Sequence, residues 1–473
     1  MKKALFILSF IISNLSIVCA QTPVSGGIFS NTTWTLANSP YLMTGSIVVF
    51  PGATLTIEPG VEVRVQDNPP PSPSLYIESR GTINMVGSPG QPIRFRANSA
   101  IYTVAAWQGF IVNDAQGGVV NFDYVEISNA NSTFNYTSTP PQFISLHGCR
   151  FNYNYYGIQS VLSLTLDSCF FFGNYSAVAG WSIFDINRCV FDSNGAALPI
   201  YASTLVVDSS DFINNYTAIN LNNVPFSGMS ISNCFFNNNG NGIVNPGNGS
   251  ITNCTFSQNN IGIEGAVNAQ IANSYFTNNL VAARLGFGST LRDCEIANNT
   301  IGVGLGPLSF GQPAPNVLDN RICQNDSFNI ENNTDLNLFL ASNCFCESDS
   351  AVIESKILDG YDDITRGLIS YAIYDTSCTT ILRLINKANI TGLEESTVDK
   401  FIVSPNPAHD RVSFQNLSKE LNIELIDQFG KRVMSCVVGP ASNSIDVSGL
   451  SKGLYIVHAI NGDEFNYSKL LLQ

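Results

Sequence analysis

Lysine is nearly missing from this chain: none occurs between Lys3 and Lys356. Charged residues make up only 12% of the 473 residues, and the net charge is −14. A chain this acidic and this poor in cations has little to offer a phosphate backbone, so nucleic acid is excluded as a partner. Histidine is scarce as well. His147, His409 and His458 are the only three, and they are split between two parts of the chain, so no Ser/His/Asp constellation can be assembled. His147 reads as a surface residue at a bend. After residue 20 no run is apolar enough to span a membrane. Residues 1–20 are different: Lys2 and Lys3 precede an apolar run from Ala4 to Val18, and Val18 with Ala20 suits cleavage before Gln21. This is the pattern of an export signal. Cys19 opens the alternative of a lipoprotein, to which Val18 is poorly suited. The expected mature chain is exported, has no membrane-spanning segment and is a monomer, with 44% hydrophobic residues to build a core and length for more than one domain.

What the chain has in place of charge is repetition. From Leu146 to about Val303 one phrase recurs: aliphatic, two polar residues, Cys or Ser, any residue, Phe, two residues, Asn. The aliphatic position is Leu146, Leu166, Ile186, Val207, Ile231, Ile251, Ile271 and Leu291. The small position is Cys149, Cys169, Cys189, Ser210, Cys234, Cys254, Ser274 and Cys294. The aromatic position is Phe151, Phe171, Phe191, Phe212, Phe236, Phe256 and Phe276, with Ile296 in the eighth copy. The amide position is Asn154, Asn174, Asn194, Asn215, Asn239, Asn259, Asn279 and Asn299. Spacings of 20, 20, 21, 24, 20, 20 and 20 residues admit a leucine-rich repeat or a β-solenoid. The segments are short, rich in Ile, Val, Phe and Thr, and broken by Asn and Gly, which favours strands and turns. In one copy Leu164 and Leu166 alternate inward, Asp167 and Ser168 bend the chain, Cys169 and Phe171 point inward again, and Asn174 marks a turn. Three short strands per coil, stacked at about 4.8 Å, make an all-β, right-handed parallel β-helix with coils of about 20 residues.

The repeated residue types then acquire physical roles. A Phe column fills the core. An Asn column lets each amide bond the next along the axis, and Asn tolerates turn conformations. A Cys column suggests a metal ladder or a disulfide chain, but its interchange with Ser, between inward aliphatic and Phe positions, points to a small buried residue.

Outside the repeat the chain reads as caps. Trp34 and Tyr41 precede a strand–turn–strand unit from Ser46 to Val63, with Gly52 and Gly60 as turns and Leu55 and Ile57 inward. A second unit runs from Leu75 to Phe95, with Gly81 and Gly87 as turns. Between them Asn68 to Ser74 is a Pro-rich excursion that cannot join a ladder. An open solenoid end exposes strand edges and needs covering. This stretch, with Trp107-Gln-Gly-Phe110, resembles the opening of secreted bacterial β-helix proteins of the pectate-lyase-like superfamily, a resemblance that covers roughly 45 to 345 and speaks to fold. Beyond the loop Gly306 to Pro315, Asn320-Arg-Ile-Cys-Gln-Asn325 looks like one more degenerate coil. Ile353-Glu-Ser-Lys-Ile-Leu-Asp359 has helical spacing. Asp359, Asp362 and Asp363 follow as a polar helix end and turn, or as carboxylates suited to calcium; no cofactor is required. Cys323, Cys344, Cys346 and Cys378 lie outside the ladder, and one or two disulfides are expected there, with the pairing open.

Residues 21–384 are therefore read as the β-helix with its caps and 385–400 as a linker. Residues 401–473 concentrate the remaining Lys and read as six or seven short strands of a small β-sandwich. Ser404-Pro-Asn-Pro-Ala408, Asp427-Gln-Phe-Gly-Lys-Arg-Val433, Asp446-Val-Ser-Gly-Leu-Ser-Lys-Gly-Leu-Tyr-Ile456 and Lys469-Leu-Leu-Leu-Gln473 resemble, in order, the type A C-terminal sorting domain of the type IX secretion system. That resemblance implies the secretion machinery as partner of 401–473 and passage through the outer membrane. It further implies removal of this domain near the linker, then release or attachment to surface lipopolysaccharide.

Two functions are open. Tyr155, Tyr175 and Tyr216 follow the Asn ladder in one column, interrupted by Gly195; such rings either cover a turn or pack on sugar faces. They motivate a non-catalytic binding or adhesin-like module, with a glycan or another surface protein as partner. The alternative is a polysaccharide lyase or glycoside hydrolase, since many relatives of the fold cleave acidic glycans. Its candidates are Asp167, Asp185, Arg188, Asp208 and Asp211 on three adjacent coils. Asp167 and Asp208 share one bend two coils apart, about 10 Å, near the upper end for an inverting carboxylate pair. A lyase base would have to be Arg188, as Lys is absent. Asp at bends is also ordinary turn chemistry.

Overall fold

In a computed structural model the chain is a parallel β-solenoid of about 12 turns, about 21 residues per turn, followed by antiparallel sheets. The structure describes residues 21–66, 75–98, 104–136, 144–159, 163–180, 183–201, 204–221, 228–306, 311–371 and most of 402–472. The expected leader, the Pro-rich stretch from Asn68 to Ser74, the linker at 385–400 and Cys378 lie outside the described residues.

One coil shows how the repeat folds. Ser163–Asp167, Phe170–Phe172 and Ser176–Ala179 form its three strands. Each strand pairs in parallel with its equivalent in the neighbouring coils, as in Leu166↔Ile186 and Phe171↔Phe191. Three faces result. An aliphatic sheet of nine strands runs from Ile144–His147 to Asn316–Leu318, a phenylalanine sheet of 17 strands includes Phe170–Phe172, and a third sheet of ten strands runs from Tyr156–Gln159 to Ile357–Leu358. The stacked pairing leaves ladder edges open only at the two ends.

Two sharp corners of each regular coil are made by one left-handed residue apiece. The first corner is the residue before the Cys/Ser position, among them Gly148, Ser168, Arg188, Ser209 and Asn233, with φ of 50° to 60°. The second is the residue before the ladder Asn, among them Tyr153, Gly173, Ser193, Asn214 and Asn238, with φ of 54° to 63°. The expectation that the ladder Asn itself turns the chain is thus corrected. The turn belongs to its predecessor, and Asn154, Asn174 and Asn194 are buried to 2% exposure or less.

Buried amides must be satisfied, and in the ladder each one is. Asn174 Oδ1 accepts the backbone N–H of Asn154 at 2.9 Å and its Nδ2–H at 3.1 Å, while Asn174 Nδ2 donates to the Phe151 carbonyl at 2.8 Å. The same three bonds recur at Asn194, Asn215, Asn239, Asn259, Asn279 and Asn299. Beside this ladder the rings from Phe151 to Phe276 stack with centroids 4.7–4.9 Å apart, the strand spacing itself. Cys149, Cys169, Cys189, Cys234, Cys254 and Cys294 are buried and free. Each thiol donates to the carbonyl two residues before it, as Cys234 does to Ser232 at 3.0 Å. Where Ser replaces Cys, its oxygen accepts a backbone N–H of the preceding rung, Ser210 from Cys189 at 3.1 Å. Asn320 then takes the Cys position and bonds Asn343 in the same manner, so 320–325 is a true coil.

The caps follow the sequence with two corrections. Gly52 and Gly60 adopt φ of 83° and 79°, but Gly81 and Gly87 are not left-handed; a Cβ there would stand 2.4 Å from the Ala53 carbonyl and 2.5 Å from that of Tyr124, so close backbone approach selects glycine. The C-terminal helix is Ser350–Glu354, earlier than the Ile353 to Asp359 spacing suggests, because Asp349 caps it by accepting the Ala351 N–H and the chain re-enters a strand at Ile357–Leu358. Cys323 pairs with Cys346, and Cys344 is disulfide-bonded as well. Trp107 is fully buried and donates to the Ser128 carbonyl at 2.9 Å. The C-terminal part has seven antiparallel strands in sheets of three and four, closed over a core that includes Phe414, Ile423, Leu425 and Val457.

Candidate functional site

The charged candidates do not converge. Register places Asp167, Asn187 and Asp208 on successive rungs, so Asp167 and Asp208 do share one bend two coils apart. Asp185 faces outward from the aliphatic sheet, and Asp211 opens a strand of the phenylalanine sheet. Asp167 is ion-paired with Arg188 and bonded by His147 Nδ1 at 2.9 Å, and His147 Nε2 lies 2.8 Å from the Tyr124 hydroxyl. Asp208 has other partners. Burial pushes its carboxyl up, but hydrogen bonds from Ser232 at 2.6 Å, Ser209 at 2.8 Å and Asn233 at 2.7 Å outweigh that and hold it below the usual range. The Tyr124 phenol is held above its ordinary value, by desolvation first and then by Asp123 and Asp167. An inverting hydrolase needs one carboxyl kept protonated at working pH. Asp208 is biased the other way, and Asp167 is engaged in an ion pair with Arg188. Arg188 itself is a corner residue, fixed at φ 52°.

Sequence reading missed the connection of His147 and Tyr124 to this bend. His147 is half-exposed, as expected, but it links Tyr124 to Asp167 along three successive coils. Tyr124 precedes the regular repeat, so periodicity carried no signal for it.

The tyrosine column is the better-formed feature. Tyr155 and Tyr175 stack with centroids 4.6 Å apart and planes 4° from parallel. Tyr175 and Tyr216 are 60% and 78% exposed. Both line a groove of about 490 Å³ on the outer face of the third sheet. Tyr156 and Tyr201 add aromatic wall, and Ser176, Ala179 and Ala196 make a floor of small side chains. Sequence reading named Tyr155, Tyr175 and Tyr216 but not Tyr156, Tyr201 or the floor. Tyr156 pairs with Ser176 in the third sheet. Its phenol is held above the ordinary value, by desolvation first and then by Tyr155, so it is a neutral hydroxyl at physiological pH.

The acidic segment after the helix is engaged in its own turn. Asp359 is buried and accepts the N–H groups of Tyr361 at 2.9 Å and Ile369 at 2.6 Å. Asp363 accepts from Thr365 and pairs with Arg366. Asp362 accepts the Asp359 N–H at 3.3 Å. Among the described residues no group of three or more His, Cys, Asp or Glu side chains is placed to hold a metal ion. No helix among them is long and apolar enough to cross a membrane.

Comparison with known families agrees with both parts of the chain. Residues 402–473 match the secretion system C-terminal sorting domain. The chain is a β-solenoid carrying a type IX secretion sorting domain. It is exported across the outer membrane to the cell surface or the medium, and the sorting domain engages the secretion machinery. Residues 26–134 match the pectate-lyase like beta helix domain, which covers the first, irregular turns rather than the regular coils. A search of curated proteins finds none that matches the chain.

Proposed function

We propose that this secreted β-solenoid is a non-catalytic surface-binding protein that takes up a glycan along the groove lined by Tyr175 and Tyr216, with Tyr155 stacked beside it. The observation that carries the reading is a column of tyrosines, with Tyr155 stacked on Tyr175, and Tyr175 and Tyr216 facing solvent, beside a floor of small residues, on a scaffold held by the Asn and Phe ladders. Exposed rings of this kind offer flat apolar faces with hydroxyl edges. Glycan arrays and polysaccharide pull-down with the exported protein test it. Tyr155→Ala/Tyr175→Ala/Tyr216→Ala should lower binding at least about tenfold, or 1.4 kcal/mol, at unchanged melting temperature. Undiminished binding in the triple variant removes the groove from the reading.

The second reading is polysaccharide cleavage at the Tyr124–His147–Asp167–Arg188 corner. Its support is the continuous hydrogen-bonded chain of titratable groups. Release of reducing ends or unsaturated products in the same assay, lost in Asp167→Asn, would replace the first reading with this one.

A further inference from the structure

The tyrosine column has a gap, and the gap has a shape. Backbone bonds continue through it: Gly195 N–H to the Asn174 carbonyl at 2.9 Å, Tyr216 N–H to the Asn194 carbonyl at 3.0 Å, and Thr217 N–H to the Gly195 carbonyl at 3.2 Å. Tyr175 and Tyr216 therefore stand two rungs apart, about 9.6 Å, with only Gly195 between them. A Cβ at 195 would lie 2.6 Å from the Tyr175 carbonyl oxygen, so the backbone itself keeps a side chain out of the slot.

The floor beneath the slot is irregular in two ways. Pro199 has no N–H to donate, and the strand Ser176–Ala179 pairs with Ala196–Ile200 only at Ser176↔Ala196, resuming at the Gly180↔Ile200 bridge. Ser176 is 4% exposed, lines the groove, and its Oγ has no hydrogen-bond partner. A buried hydroxyl left unpaired is destabilising, and a ligand hydroxyl reaching it would supply the missing bond.

We infer that the Gly195 rung is a subsite for one neutral pyranose ring, held between Tyr175 and Tyr216 with a sugar hydroxyl on Ser176 Oγ. The inference rests on the glycan-binding reading and narrows it. A flat aromatic ring in contact with both tyrosines would span only about 7–8 Å, twice the ~3.5–4.0 Å carbon–carbon contact, and would leave the slot underfilled. A puckered saturated ring carries hydrogens on both faces, is thicker, and brings the hydroxyls that Ser176 lacks. None of the side chains lining the groove is charged, which favours a neutral sugar over a uronate or a sulfated one.

The test is saturation-transfer NMR and titration of the exported protein. The probes are the methyl glycopyranosides of glucose, galactose, mannose and galacturonic acid, each with its matching tetrasaccharide. The subsite predicts that a neutral monosaccharide binds at ~millimolar Kd. Tyr175→Ala and Tyr216→Ala should each weaken it at least about tenfold, Ser176→Ala about threefold or more, and Tyr155→Ala, outside the slot, less than about threefold. Tetrasaccharide binding without monosaccharide binding, with Tyr155→Ala as damaging as Tyr216→Ala, would overturn the slot and leave a continuous platform. Preference for the galacturonoside would overturn the neutral-sugar assignment. Binding of no probe would overturn both the slot and the glycan reading.

Discussion

The first turns of the solenoid and its regular coils fill the same kind of core in opposite ways. Between Phe95 and Phe134 most aromatic contacts are edge-to-face: Phe95–Phe110 at 79°, Trp107–Phe110 at 73°, Phe110–Phe122 at 88° and Phe122–Phe134 at 86°. From Phe151 to Phe276 every ladder pair is near parallel, 18° or less. Ring quadrupoles favour the edge-to-face arrangement, and an irregular sequence is free to adopt it. A strict repeat is not free: identical residues on identical rungs have identical orientations, and parallel stacking follows from the symmetry. Both regions pair charges on the outside, Glu62 with Arg64 and Arg96 and Arg94 with Glu126 in the first turns, Glu264 with Arg284 and Glu295 with Arg321 in the coils. The regular coils add a ladder of buried amides.

The contrast is sharpest where a ladder is interrupted. Asn215→Ala removes an oxygen that accepts two bonds from Asn194 and a donor to the Phe191 carbonyl. Three buried groups lose their partner at about 1–3 kcal/mol each, so the loss should exceed about 3 kcal/mol by chemical denaturation. It should also raise amide exchange on neighbouring rungs in both directions. Next, by the same measurement, is Phe212→Ala, at about 3–5 kcal/mol on the scale for a fully enclosed ring, below the upper end of the amide's range of about 3–9 kcal/mol. Phe122→Ala, at a site 8% exposed and edge-packed, should cost less. Equal costs for Phe212 and Phe122 would mean that stacking adds nothing to simple burial.

How much of this could be read without coordinates depended on repetition. The three-strand coil, the inward Phe and Cys columns and the extra coil at 320–325 were all legible, because a ladder writes the same residue at the same place. The left-handed corner was misassigned to the ladder Asn for a physical reason. Asn is well suited to both roles, and doublets such as Asn214-Asn215 and Asn238-Asn239 hide which one turns and which is buried. Tyr153-Asn154, Gly173-Asn174 and Ser193-Asn194 separate them: the first residue varies freely and the second does not. The groove was half legible. Its tyrosines share a column, whereas Tyr201, Pro199 and the unpaired Ser176 hydroxyl occur once each, and a single occurrence has no period. The Tyr124–His147–Asp167 line was hidden because it crosses from the irregular turns into the repeat.

The smallest expected effect concerns the charged surface of the first turns. Burial raises the Glu62 carboxyl, but hydrogen bonds and charge from Arg64 and Arg96 outweigh it and leave the group below its ordinary value. A carboxyl depressed in the folded state binds protons more readily when unfolded. Its contribution is therefore complete above the unfolded carboxylate range and is lost as pH falls through the folded value. Glu62→Gln should lower stability near pH 7 by at most about 1 kcal/mol, as for partly exposed pairs, and the difference from the parent should shrink as pH drops below the ordinary carboxylate range. Asn215→Ala offers the reference, since amide ladders do not titrate: its deficit should stay constant over the same pH interval. If the Glu62→Gln deficit were equally flat with pH, the Arg64–Glu62–Arg96 contacts would be acting through packing alone, and the charge-paired first turns would be held by the same forces as the coils that follow.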